Sequence, residues 1–160
     1  MSLDLIRIDD RLVHGQVVIT WGAFINATKI ILCNNEIAQS EAEKDLYMNA
    51  EEIAPHPLKI CVWTREETLT AITENELEND KTILLLESPK DLLQLVDDGL
   101  NIKKANVGGM HYQHGKRQLT SYIYVDDEDV SCLKKLHQLG IHLEGKDVPS
   151  AKSFNISEAM

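Results

Sequence analysis

His14 follows Arg11 by three residues in the run Ile8-Asp9-Asp10-Arg11-Leu12-Val13-His14-Gly15-Gln16-Val17, where an apolar strand gives way to an apolar helix. A neutral imidazole supplies a nucleophilic nitrogen, and a guanidinium beside it supplies a permanent positive charge. A helix that begins at the end of a strand adds unpaired backbone N–H groups and a positive dipole end, a setting suited to an anion. Phosphoryl transfer asks little covalent work of a protein beyond placing donor and acceptor in line and stabilising the equatorial oxygens. The residues that would hold such a group are Arg11 and the backbone of Gly15 and Gln16, with Gly108 and Gly109 as a second glycine-rich stretch. Two carboxylates beside an incoming phosphoryl group would repel it, so Asp9 and Asp10, the acidic members of this candidate phosphate loop, are expected as loop caps and partners of Arg11, with orientation of the His14 ring as the alternative role.

These residues need a scaffold, and the hydrophobic pattern provides one. Leu5, Ile6 and Ile8 suit a short buried strand, and Val17, Val18, Trp21, Phe24 and Ile25 recur at roughly helical spacing, which makes them core residues. Further strands are expected over 29–33, 58–63, 82–86, 101–107, 119–125 and 141–148, the last as a half-exposed edge closed by Pro149. Helices lie between them. Their punctuation is explicit: Ser40 with Glu43 and Thr64 with Glu67 as capping boxes, Ser88 before Pro89, Asp126 as N-cap, and Gly99 and Gly140 as stops. Gly108-Gly109 ends the fifth strand, where glycine permits positive φ or close backbone approach. Alternating strands and helices predict crossover units and a largely parallel sheet.

Composition excludes several classes. The 160 residues suit one domain, residues 1–160, of ordinary globular material, 43% hydrophobic and 26% charged. Sixteen basic against 26 acidic residues, a net charge of −10, argue against nucleic acid as a partner. Cys33, Cys61 and Cys132 are too widely spaced for a Cys-x-x-Cys site and read as buried thiols. No apolar stretch reaches the ~18 residues that span a bilayer, so a cytoplasmic protein is expected. His111 and His114 have the spacing of a metal pair, but their stretch offers no third ligand, so no metal is expected and the pair reads as loop histidines. No Walker or Gly-x-Gly-x-x-Gly motif occurs, and no cofactor is expected. His56, His137 and His142 read as surface residues.

The stretch Arg7-Ile8-Asp9-Asp10-Arg11-Leu12-Val13-His14-Gly15-Gln16-Val17-Val18, with Asn106-Val107-Gly108-Gly109-Met110-His111, Tyr124-Val125-Asp126-Asp127-Glu128-Asp129 and Lys146-Asp147-Val148-Pro149-Ser150, resembles one family. It is similar to the IIB component of the mannose/fructose/sorbose class of bacterial sugar phosphotransferase systems. The resemblance covers essentially the full chain and implies an α/β fold: an open, mostly parallel seven-stranded sheet with helices on both faces and the last strand antiparallel. It implies that His14 carries a phosphoryl group received from a IIA phosphohistidine domain, that Arg11 steadies it, and that it passes to a sugar bound by membrane IIC and IID subunits. The protein would then associate peripherally with its transporter. Docking around the His14 mouth would be transient, with Trp21 and Lys116 as flanking candidates, and a homo-oligomer stays open. Lys146 departs mildly from an expected Arg. From the residues themselves, two other readings remain: a non-catalytic module holding a phosphate-bearing metabolite, and a phosphatase.

Overall fold

The computed structural model describes residues 3–160. Its first strand, β1 (Leu3–Asp9), is followed by a wide π-wound helix, α1 (Gln16–Trp21), which runs into one turn of α-helix, α2 (Gly22–Ile25). Next come β2 (Lys29–Cys33), α3 (Asn35–Ala38), α4 (Glu41–Met48), a 3₁₀ turn (Asn49–Ile53) and β3 (Lys59–Trp63). α5 (Arg65–Thr73), β4 (Thr82–Leu86), α6 (Pro89–Asp97) and β5 (Lys104–Gly109) follow. The remainder is β6 (Arg117–Thr120), β7 (Ile123–Val125), α7 (Asp127–Gln138), β8 (His142–Gly145), β9 (Phe154–Asn155) and α8 (Ile156–Ala159). Seven strands hydrogen-bond in the order β3-β2-β4-β1-β5-β8-β9; the pairs β2–β3, β2–β4, β1–β5 and β5–β8 are parallel and β8–β9 is antiparallel. This is the expected mixed, mostly parallel sheet with its last strand antiparallel.

The chain forms two compact units that share β1: one takes the chain to Ile6 together with Leu12–Leu85, the other Arg7–Arg11 with Leu86–Met160. In the first unit, β2 and β4 are near-continuous apolar runs, buried along almost their whole length as parallel strands covered on both faces are. Ile30, Leu32, Ile60, Val62, Ile83 and Leu85 form a core with Leu12, Val13, Val17, Val18 and Trp21. Phe24, read as core from its spacing, is instead 65% exposed and lies edge-on against the buried Trp21, ring centroids 6.2 Å apart. The helix gives Trp21 to the core and turns its next aromatic outward, because a short helix has only one apolar stripe to bury.

In the second unit, α7 opens on a reciprocal box in which Asp126 accepts from the Asp129 N–H and Asp129 from the Asp126 N–H. The acidic run 126–129 is thus a helix start. α6 and α7 end before Gly99 and Gly140, at φ +121° and +87°. Two expectations need correction here. The stretch 119–125 belongs to a separate antiparallel ribbon, β6–β7, outside the seven-stranded sheet. The stretch 141–148 yields only β8, which is interior, because Phe154–Asn155 pairs beyond it. Alternating burial in β8 reports that one side is covered, and it does not say which strands flank it.

Candidate functional site

The carboxyl end of β1 carries a buried ionic network within the second unit. Arg7 and Asp9 are both 0% exposed. The Asp9 carboxylate accepts from two guanidinium groups: Oδ2 from Arg7 Nη2 at 3.2 Å and Arg11 Nη2 at 2.9 Å, Oδ1 from Arg11 Nε at 3.0 Å and the Arg11 backbone N–H at 3.1 Å. Arg11 therefore meets Asp9 as a two-pronged fork, the strong geometry for this pair. Its hydrogen bond to Asp9 raises the Arg11 pKa above the ordinary value, against the effect of burial, so its charge is fixed. About a third of its side chain, 35%, is exposed to solvent. Arg7 has the opposite balance, burial lowering it to about 10 although Asp9 pulls the other way.

Gly108 and Gly109 are required by close approach. Neither has a positive φ. A Cβ on Gly108 would fall 1.8 Å from Arg7 Cζ, and one on Gly109 would fall 2.9 Å from Asp9 Oδ1. Bare backbone in β5 thus leaves the room that the arginine and the carboxylate fill. Asp10 makes its hydrogen bonds elsewhere. Its N–H donates to the Gly109 carbonyl at 3.0 Å, and its carboxylate accepts from the His111 backbone N–H at 2.6 Å and from His111 Nδ1. Asp10 is expected beside Arg11 as a partner; its carboxylate bonds to His111, and its charge acts on Arg11 as well, helping to raise the Arg11 pKa.

In the first unit, His14 is half-buried and stands immediately before the helix that Gly15 opens. The Val18 N–H donates to the His14 carbonyl at 3.0 Å, so His14 closes the first helical turn. That turn holds no acidic side chain of its own, unlike the first turns of α4, α5 and α7. Leu12 sits at φ +63°, a left-handed conformation that costs a branched residue roughly 1–2 kcal/mol. Leu12 and Val13 are buried in the apolar core, which holds the chain in this turn just ahead of the histidine.

Of the residues singled out from sequence, Asp9, Arg11, Gly108 and Gly109 come together in one network, Asp10 pairs with His111, and His14, Gly15 and Gln16 form the helix start. Trp21, a candidate for docking, is only 4% exposed and belongs to the core. Lys116, the other, is tied to Asp129 at 3.1 Å with both side chains largely covered. His56, read as a surface residue, is half-buried, its Nε2 2.7 Å from the Ala27 carbonyl. The three cysteines are buried thiols as expected. Sequence reasoning missed Arg7, Asn106 and the backbone of Lys146 and Asp147, all of which meet in the network. The only available signal was a charged residue inside an apolar strand.

The sequence profile of the family described as "PTS system sorbose subfamily IIB component" matches residues 3–160. A sorbose-specific EIIB component of Klebsiella pneumoniae is 35% identical over 156 residues, covering 98% of this chain and 93% of the relative. A fructose-specific EIIB component of Bacillus subtilis is 33% identical over 153 residues, covering 96% and 92%. The crystal structure of the IIBSor domain of the Klebsiella pneumoniae sorbose permease superposes with a TM-score of 0.90 at 34% identity, over 99% of this chain and 96% of that one. An N-acetylgalactosamine-specific IIB component 1 from Escherichia coli gives a TM-score of 0.86 at 33% identity, over 94% and 97%.

Proposed function

Because the chain belongs to the sorbose subfamily of IIB components, the sugar phosphotransferase components of these transport systems, we propose that His14 is its phosphoryl carrier. A nitrogen of the neutral His14 imidazole attacks the phosphorus of a phosphohistidine on a IIA domain; the new N–P bond forms as the donor's N–P bond breaks. In the second half the His14 N–P bond breaks as a sugar hydroxyl oxygen bonds to phosphorus and releases its proton. The sugar is held by membrane IIC and IID subunits, so residues 1–160 act as one IIB domain beside a transporter. Among the described residues no helix is long and apolar enough to cross a membrane.

The observation that carries this reading is the Asp9–Arg11 fork, a guanidinium with fixed charge and fixed plane three residues ahead of a histidine at a helix start. Arg11 steadies the equatorial oxygens as charge shifts between donor and acceptor, and the donors of the helix start add to it. Incubating the chain with the general phosphotransfer proteins, a IIA domain and radiolabelled phosphoenolpyruvate tests it. Acid-labile label appears on the wild-type chain, and His14→Gln abolishes it with an unchanged far-UV spectrum. Labelling that survives in that variant overturns the assignment; a metabolite-binding module stays unlabelled, and a phosphatase releases inorganic phosphate.

Sugar choice lies with the partners. Relatives named for sorbose, fructose, N-acetylgalactosamine and mannose are 32–35% identical to this chain, so similarity does not single out one sugar. A sugar pocket is concave, partly aromatic and lined by several converging side-chain hydrogen-bond partners, and the His14 turn offers a setting for an anion instead. Calorimetric titration of the purified chain with each of the four sugars at millimolar concentration yields no saturable heat. Selective binding of one would place part of the recognition here.

A further inference from the structure

Arg7 is a fully buried guanidinium with no part in the transfer step described above, and burying such a charge is expensive unless its surroundings answer it. Four of its bonds come from three separate stretches of chain. Nη1 donates to Asn106 Oδ1 and to the Lys146 carbonyl at 2.8 Å; Nη2 donates to the Asp147 carbonyl at 2.9 Å and to Asp9 Oδ2 at 3.2 Å. Three of those acceptors are neutral and would suit any structural bolt. The fourth is the carboxylate that holds Arg11.

We infer that Arg7 is a positioning residue for phosphoryl transfer, fixing the Asp9 carboxylate so that the Arg11 guanidinium has one orientation; the inference rests on the phosphocarrier reading of His14. Asp9 Oδ2 is shared between Arg7 Nη2 and Arg11 Nη2, while Oδ1 takes Arg11 Nε and the Arg11 backbone N–H. Turning the carboxylate about its Cβ–Cγ bond breaks the Arg7 contact and both prongs of the fork together. Arg7 is itself held in place, because the missing side chain of Gly108 leaves the space its guanidinium fills and acceptors from β5 and from residues 146–147 take three of its terminal N–H groups. The stretch Lys146-Asp147, which the transfer chemistry itself does not use, thereby gains a role as the outer wall of the positioning group. Lysine cannot replace it, since one ammonium cannot serve four acceptors spread around a plane.

Two readouts test this on the full chain, with Arg7→Lys and the milder Asn106→Ala, each confirmed as folded by thermal melting. The first is the Arg11 Nε–H resonance in protein carrying nitrogen-15 arginine, without any phosphoryl donor. It is protected from solvent exchange in the wild type and exchanges at least tenfold faster in both variants. The second is the rate of label transfer from phosphorylated IIA domain to His14. Arg7→Lys lowers it by about 10²-fold, the scale of an ångström's misplacement at a reacting centre, and Asn106→Ala lowers it less. Combined with Arg11→Lys, Arg7→Lys costs nothing further, because the group it positions is already gone. Unchanged Nε–H exchange, or losses that multiply in the double variant, overturns the inference and leaves Arg7 a structural bolt. A wild-type chain that takes no label on His14 overturns the phosphocarrier reading and the transfer half of the inference with it. A labelled wild type with multiplying losses overturns the inference alone.

Discussion

The two compact units hold their side chains in place by different physics. In the first, the turn before His14 is kept by apolar side chains, Leu12, Val13, Val17, Val18 and Trp21, packed among the strand residues of β2, β3 and β4. In the second, Arg7, Asp9 and Arg11 are kept by directed hydrogen bonds between charged groups, two of them fully buried. Apolar packing rewards area and volume and tolerates a change of shape; a buried ionic network rewards particular atoms and tolerates almost none. Under the proposal that Arg11 steadies a phosphoryl group, the guanidinium that needs a fixed direction is the one held by the directional interaction.

The largest expected effect comes from Asp9→Asn. The substitution is nearly isosteric, so packing barely changes, but it removes the carboxylate hydrogen-bonded to a guanidinium with 0% exposure. Breaking a buried pair in this way costs roughly 3–5 kcal/mol. Urea unfolding of the variant should show a loss of that order, with an unchanged slope. A loss under about 1 kcal/mol would mean that Asn106 and the carbonyls of residues 146 and 147 hold Arg7 without help, and the contrast between the two regions would collapse.

What the sequence disclosed and what it hid divide along the same line. Signals that act over a few residues were legible: the caps at Ser40, Thr64, Ser88 and Asp126, the stops at Gly99 and Gly140, and the apolar runs of β2 and β4. β9 was invisible because a two-residue strand has no period to detect. Arg7 was passed over because its acceptors lie 99 and about 140 residues away in sequence, at Asn106, Lys146 and Asp147. Its polar neighbours, and not its own pattern, decide that it points inward. Gly108-Gly109 was flagged for two reasons, positive φ or close approach, and only the partner side chains of Arg7 and Asp9 select the second. His14 and Arg11 stand out in the sequence; the network that holds Arg11 becomes visible only in three dimensions.

A middle-sized effect sharpens the apolar half of the comparison. Ile30 is 0% exposed in the centre of β2, and Ile30→Val removes one methylene from a well-packed core. The expected cost is about 0.5–1.5 kcal/mol, visible in thermal melting, with the rate of His14 labelling unchanged. A labelling defect in this variant would show that the core steers the site as strictly as the ionic network does.

The smallest effect separates a buried ion pair from a surface one. Asp80 accepts from Lys29 Nζ at 3.0 Å and from the Thr28 hydroxyl at 2.9 Å, with 17% of the lysine side chain and 26% of the aspartate side chain exposed. Burial pushes the Asp80 carboxyl up, but the bonds from Lys29 and Thr28 outweigh it, and the net shift is below the ordinary carboxylate value. A depressed folded-state pKa means that the unfolded chain binds the proton more readily. The stabilisation is therefore present above the ordinary carboxylate pKa of about 3.9 and is lost as pH falls through the lower folded value. Pairs this open to solvent are worth about 0–1 kcal/mol. Asp80→Asn should thus lower the melting temperature near pH 7 by no more than about 2–4 °C, and the gap from wild type should close as pH drops below about 3.9. A gap that stays constant down to pH 3 would mean that the asparagine acts through packing or the Thr28 hydrogen bond, with the Lys29 charge contributing nothing.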